Sequence, residues 1–411
     1  MSARPDAPPR GAEPARDYDY AYYRAALSDA RLPAAFVDLD QFDANLELLR
    51  RRAGGLPIRI VTKSVRSVAI LRRLVAAGPF VRGLLCYAPA EAAWLAAQGF
   101  DDLVVAYPAV EPADLRAVAV QVRAGRAITL MVDDPAQVRA AAAAAQAEGV
   151  ELALALDLDM SSDFPGLRFG VYRSPVDGPA AALALAAAIA ATPGVRLDGL
   201  MGYESQIAGL MDDVPGKRLK NAVVRLLKRR SVVEVNARRQ ATVAALAAAG
   251  HRLRFVNGGG TGSFESTRLD PSVTELAAGS GLYVPTLFDH YRAFHARPAA
   301  GFALAVTRVP GPGFVTCAGG GYPASGPAGA DRLPRPWLPA GCSLLANEGA
   351  GEVQTPVRVP VSAALAIGAP LLFRHAKAGE LCERFDELLL IAGGQVVDRV
   401  ATYRGDGRCF F

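Results

Sequence analysis

The sequence predicts an α/β chain, a (β/α)8 barrel followed by a C-terminal all-β domain. Three observations predict it. From residue 34 to about 290, short apolar strands alternate with Ala- and Leu-rich helical stretches, the rhythm of βα units that close a parallel barrel. Beyond about 295, glycine, proline and short β-type runs take over and helical periodicity nearly vanishes. At 411 residues the chain is also too long for one ordinary core and suits two domains. The expected divisions are an N-terminal arm over 1–33, a barrel over 34–294 and a β domain over 295–411.

The arm is rich in Pro, Ala and Arg as far as Tyr18, so its first fifteen or so residues read as disordered. Tyr18–Tyr23 then supply rings that can pack the arm onto the β domain. Barrel strands are expected at 34–39, 58–62, 83–86, 103–106, 127–132, 152–157, 197–201 and 254–257, each followed by a helix. In the second domain, strands are expected at 302–308, 313–318, 343–346, 355–359, 388–392 and 396–403.

Bulk composition excludes several classes. With 51% hydrophobic and 21% charged residues the chain can bury a sizeable core. Its longest apolar runs, 180–191 and 363–373, fall short of the ~20 residues a membrane span needs. Arg4 and Arg10 stand among prolines with no apolar stretch behind them, so no secretory signal is read and a cytoplasmic location is expected. Five cysteines at wide spacing, with no C-x-x-C pair, read as reduced thiols. Much of the +5 net charge sits between Lys217 and Arg239 at helical spacing. No aromatic platform accompanies it, so a solvated helix face is expected rather than a nucleic-acid surface.

Three local signals carry chemistry. The run Ile58–Thr62 ends at Lys63, and a lysine at the carboxyl end of a barrel strand points into the site such folds build there. A partly desolvated amine can attack a carbonyl, which is what holding pyridoxal phosphate (PLP) as a Schiff base requires. Asn257-Gly-Gly-Gly-Thr-Gly-Ser263 follows a late strand, and the backbone of Gly259, Gly260 and Thr261 can approach an anion closely. As a dinucleotide fingerprint it fails, because Ser263 occupies the third glycine position. A second glycine-rich turn, Gly279-Ser-Gly-Leu-Tyr283, comes next.

Val-Asp-Leu-Asp-Gln-Phe-Asp-Ala-Asn over 37–45, with Lys63 downstream, resembles the opening of the fold-type III PLP enzymes, the alanine racemase-like barrels. The resemblance extends over about 34–405 and is nearest to the D-threonine aldolase and D-serine dehydratase branch. It implies that Lys63 carries the cofactor and that both glycine turns, through Gly259, Gly260, Thr261, Gly279, Ser280 and Tyr283, cup its phosphate. Arg168, within Leu167-Arg-Phe-Gly-Val171, would lie near the cofactor's 3-oxygen or the substrate carboxylate, and Tyr203 would touch the pyridine ring. Ala277 stands where alanine racemases place an arginine against the ring nitrogen, which counts against a racemase.

In the β domain the same branch carries His-x-Asp or His-x-Cys, a pair that binds a divalent metal. Here His375 is followed two positions on by Lys377, with Glu380 and Cys382 beyond. Either Glu380 or Cys382 completes an Mn or Zn site with His375, or Lys377 supplies the positive charge in the metal's place. The resemblance therefore implies a PLP-dependent lyase acting on D-β-hydroxy amino acids by retro-aldol cleavage or β-elimination. A racemase or decarboxylase on the same scaffold, or a non-catalytic PLP-binding protein, is the alternative. Lys63, His375 and Lys377 are the expected catalytic set, a small amino acid the expected partner, and a homodimer the expected assembly.

Overall fold

The structure is a computed structural model and describes residues 18–410. The first fifteen residues, expected to be disordered, lie outside that range. Chain order begins with β1 (Ala34–Asp38), β2 (Ile58–Val61), β3 (Val81–Cys86), β4 (Leu103–Val105), β5 (Ile128–Val132) and β6 (Leu152–Asp157). A small hairpin, β7 (Ser162–Phe164) and β8 (Leu167–Phe169), precedes β9 (Val195–Gly202), β10 (Phe255–Gly258) and β11 (Glu275–Ala278). Strands β2, β3, β4, β5, β6, β9, β10 and β11 form a closed parallel barrel, with β11 pairing back onto β2.

Register at the carboxyl end sets up the site. Ala278 pairs with Ile60, Gly258 with Gly202, and Asp157 with Met201. Lys63 therefore emerges beside Gly279, and Tyr203 beside Gly259. The barrel interior below this level is apolar, filled by Leu85, Val104, Met131, Phe255 and Ala277.

The second sheet is built from both ends of the chain. It comprises β1, β12 (Ala300–Gly311), β13 (Phe314–Ala318), β14 (Arg335–Leu338), β15 (Ser343–Leu344), β16 (Gln354–Arg358), β17 (Pro370–Arg374), β18 (Glu387–Ala392) and β19 (Gln395–Ala401). The segment at 34–39, expected as the first barrel strand, instead pairs antiparallel with β12 and parallel with β18. All five of its residues are buried, so its sequence reads the same in either sheet. The place it leaves in the barrel is taken by β11, four residues long and hidden at the edge of a glycine-rich stretch. Two further strands, β14 and β17, were not expected, because Pro336 and Pro370 argue against a strand.

The tyrosines of the arm dock on this sheet. Tyr23 is fully buried, its ring centroid 5.2 Å from both Phe36 and Trp337, and the Tyr20 hydroxyl donates to Pro370 O at 2.9 Å. The basic run lies on a single helix, Arg218–Ala248, and is only in part solvated. Arg239 is buried against Glu204 and Asp270, and Lys228 donates to Leu210 O and Asp212. No helix among the described residues is long and apolar enough to cross a membrane. Cys86, Cys317, Cys342 and Cys382 are free thiols.

Candidate active site

The cavity at the carboxyl end of the barrel is walled by Lys63 and Ser64 after β2, Tyr107 after β4, Tyr203 after β9, Gly259–Thr261 after β10 and Gly279–Ser280 after β11. Val61, Leu85, Ala106, Met201 and Ala277 make its apolar floor. Lys63 Nζ donates to the Tyr107 hydroxyl at 2.7 Å. Burial works to raise the Tyr107 phenol, but the charges of Lys63 and then Arg173 outweigh it and hold the phenol below its ordinary value. At Tyr203 burial, followed by Tyr107, outweighs the opposing charge of Arg173 and pushes the phenol up to about 12.

Both glycine turns need their glycines. Gly259 has φ +78°, in the left-handed region that side chains avoid. A Cβ at Gly260 would sit 3.0 Å from Ala208 Cβ and 3.1 Å from the Tyr203 ring; one at Gly279 would lie 2.7 Å from both Ser64 Cβ and Val61 O. The first turn is pinned from behind, where Glu204 accepts the Gly259 amide at 2.9 Å and also the Arg239 guanidinium. Ser263 Oγ takes the Gly260 amide at 3.1 Å, and Thr261 Oγ1 takes the Gly281 amide at 3.0 Å. Among the described residues no hydrogen bond engages the Thr261, Gly262 or Ser280 amides. The Ser64 and Ser280 hydroxyls stand 3.3 Å apart at the same wall.

Two expected residues do not reach this cavity. Arg168 donates to Asp159 at 2.7 Å and stacks over the Tyr172 ring at 4.7 Å, drawn outward by that carboxylate. Tyr283 is fully buried beneath the second turn, donating to Val65 O at 3.1 Å and packing against Phe42. Two unexpected ones do reach it. Tyr107 carried the same strand-end signal as Lys63 and was readable; Arg173, five residues past Arg168, was not.

His375 and Lys377 line an adjoining groove rather than the cavity itself. The turn that carries them presses on the lysine loop, for a Cβ at Gly379 would fall 2.5 Å from Lys63 O. His375 is buried with neither ring nitrogen hydrogen-bonded, and burial followed by the Arg374 charge lowers it to about 3. Lys377 donates to Ser325 Oγ at 2.7 Å; burial holds it below its ordinary value although Glu380 opposes.

The comparisons with known proteins agree with this geometry. Residues 37–286 match the family described as alanine racemase, N-terminal domain. The chain belongs to that family. A 3-hydroxy-D-aspartate aldolase of Paracoccus denitrificans is 28% identical over 256 residues, 62% of this chain and 60% of that protein's length. Among solved structures, D-threonine aldolase from Filomicrobium marinum superposes with TM-score 0.79 at 22% identity, covering 92% of this chain and 96% of that one. D-threo-3-hydroxyaspartate dehydratase from Delftia sp. HT23 gives TM-score 0.71 at 21% identity over 92% and 98%. These two likenesses span barrel and second sheet alike and establish the fold.

The family implies pyridoxal phosphate, and the residues fit it. The cavity offers an amine, an apolar floor for a flat ring, and a cup of unengaged amides and hydroxyls where side chains are excluded. A divalent metal is a different matter. Among the described residues no group of three His, Cys, Asp or Glu side chains converges. Glu380 accepts the Ser325 amide at 3.0 Å. Cys382 faces Val65 O, its thiol pushed up to about 12 by burial and so kept protonated. Neither completes a site with His375, and the donor chemistry at 375–382 does not fit the ion.

Proposed function

We propose that the chain is a PLP-dependent lyase of D-configured β-hydroxy amino acids, acting by retro-aldol cleavage or β-elimination. The observation that carries this reading is Lys63 Nζ opening between two glycine cups while the second sheet lays His375 and Lys377 against the lysine's own loop. The relatives' names, two aldolases and a dehydratase of 3-hydroxy or D-amino acids, support it.

When bound, the cofactor supplies an electron sink conjugated to the substrate's α-carbon. Lys63 would anchor it, and the amides of Thr261 and Ser280 with the hydroxyls of Ser64 and Ser280 would receive its phosphate. Tyr107 orients the lysine amine and holds a proton at its phenol, to give or take as Lys63 is engaged or released. On the far side His375 stays neutral across the working pH range, so a ring nitrogen offers its lone pair to the substrate's β-hydroxyl. Lys377 places a positive charge beside it, where negative charge develops on that oxygen. Ala277, part of the cavity's apolar floor, offers a cofactor ring no arginine, unlike the racemase arrangement.

The test begins with colour. Protein supplied with PLP is expected to show a visible band, and borohydride is expected to fix the cofactor onto Lys63 in a peptide map. A panel of D- and L-β-hydroxy amino acids, assayed together for aldehyde, keto acid and ammonia, then separates the two outcomes. Activity is expected to persist in chelator; loss restored by Mn²⁺ or Zn²⁺ would show that Glu380 or Cys382 rearranges to join His375. Turnover confined to L-substrates would overturn the reading.

A further inference from the structure

The cavity holds one charge that the reaction as described does not use. Arg173 lies at its mouth, exposed, with its guanidinium carbon 5.8 Å from the centre of the Tyr107 ring and 5.9 Å from that of Tyr203. Among the described residues it makes no hydrogen bond and no ion pair with a carboxylate within 4 Å. Its neighbour in sequence, Arg168, is spent on Asp159 at 2.7 Å and on Asp163 at 3.6 Å.

The loop is built to hold Arg173 there. Ser174 Oγ donates to Asp157 O at 2.5 Å and accepts the Val176 amide at 3.0 Å, and the Asp159 amide returns to Val176 O at 2.8 Å. Gly170 has φ +155°, and a Cβ there would lie 2.3 Å from Ser161 Cβ, so the chain turns tightly before releasing Arg173 toward the cavity. Asp157, which lines a small cleft together with Arg173, is pushed up to about 7 by burial and then by Asp133, so it does not fully cancel the arginine's charge near neutral pH. A guanidinium carried on a braced loop, flanked by two phenol rings and left without an anion, is suited to receive a carboxylate.

Resting on the PLP lyase reading, we propose that Arg173 receives the α-carboxylate of the amino acid substrate and thereby sets which bond at the α-carbon is presented for cleavage. It is a specificity-determining residue at the mouth, reached before the substrate amine meets Lys63. The chemistry it selects is a free α-carboxylate next to a primary amine. Simple amines, esters and amides of the same amino acids lack the anion and are poorly held.

Two non-cleavable probes of the holoenzyme test this, D-alanine and ethylamine, each titrated through the change in the visible cofactor band. The wild type is expected to prefer D-alanine, and Arg173→Met to lose about tenfold or more of that preference, the worth of one charge-assisted contact. Arg173→Lys is expected to recover part of it. Arg173→Met keeping the full preference, or Arg168→Met losing it instead, would overturn the proposal. So would weakened PLP uptake in Arg173→Met with the preference intact, since that places the guanidinium on the cofactor. Wild-type protein that stays colourless with PLP would overturn the lyase reading itself, a result distinct from a coloured enzyme whose Arg173 variants bind both probes normally.

Discussion

The two ends of the barrel treat charge in opposite ways. At the amino end Arg59, fully buried, donates to Glu275 at 2.6 Å and to Asp102, while Arg254 spans Asp198 and Asp102 at 2.8 Å each. Thr129 adds a hydroxyl to Asp198 at 2.7 Å. At the carboxyl end Lys63 has a phenol for its partner, and Arg173 has two phenol rings beside it but no hydrogen-bonded or ion-paired partner among the described residues. Taking a charge out of water is costly unless it is paired, so the amino end is organised as a plug that holds the strands together. On the proposed reading, the carboxyl end leaves cations and amides unmatched for a ligand that brings the anions. Charge that is incompletely answered within the protein marks the working end of the barrel.

The largest effect expected from breaking this contrast is at Lys63. Lys63→Ala removes the covalent anchor, and activity is expected to fall by about 10⁴-fold or more, roughly 5 kcal/mol in the barrier, with the melting temperature of the apoprotein nearly unchanged. Residual activity near the wild-type rate would move the chemistry elsewhere. The opposite signature is expected at Arg59. Arg59→Met leaves Glu275 buried without its cation and is expected to cost about 3–5 kcal/mol in urea unfolding, while the folded fraction still takes up PLP. Loss of PLP binding without loss of stability would erase the distinction between the two ends. Smaller than either is the effect at the glycine cup: Gly260→Asp adds a side chain against Ala208 and Tyr203 and a negative charge beside the proposed phosphate position. PLP affinity is expected to fall by roughly 2–3 kcal/mol, read by equilibrium dialysis.

How much of this was legible depends on whether the signal was local. Lys63 and the turns at 257–263 and 279–283 were readable, because a strand end and a run of glycines are properties of a few adjacent residues. The placement of 34–38 was not, since a strand buried on both faces looks the same in a parallel barrel and in the interior of a mixed sheet. Its partners, β12 and β18, lie more than 260 residues away in sequence. Arg168 and Arg173 are equivalent on paper, and only the closing of the β7–β8 hairpin onto Asp159 decides which one faces the cavity. Tyr283 sits in the turn that the family pattern singles out, yet its hydroxyl is used to tie that turn to Val65 O. The second sheet was legible in kind but not in roster, because prolines in β14 and β17 hide strands whose missing donors fall where the pairing tolerates them.

The smallest effect concerns Asp157, a carboxyl at the working end whose proton affinity is strongly displaced. Burial, with Asp133 next, raises it from its ordinary value to about 7, while Arg173 pulls the other way. A carboxyl with a raised folded-state pKa binds its proton more tightly in the native protein than in the unfolded chain. Its contribution to stability is therefore present below the ordinary carboxylate range and is lost as pH climbs from about 4 through about 7. Above that window the native state carries a poorly solvated charge. Asp157→Asn removes that penalty, so the variant is expected to match the wild type near pH 4 and to exceed it by about 1–2 kcal/mol at pH 8, after allowance for solvent at the cavity mouth. Urea unfolding at the two pH values checks this. Equal stability differences at both would show that the Asp157 proton is not held by burial, and would return Arg173 to an ordinary ion pair with it.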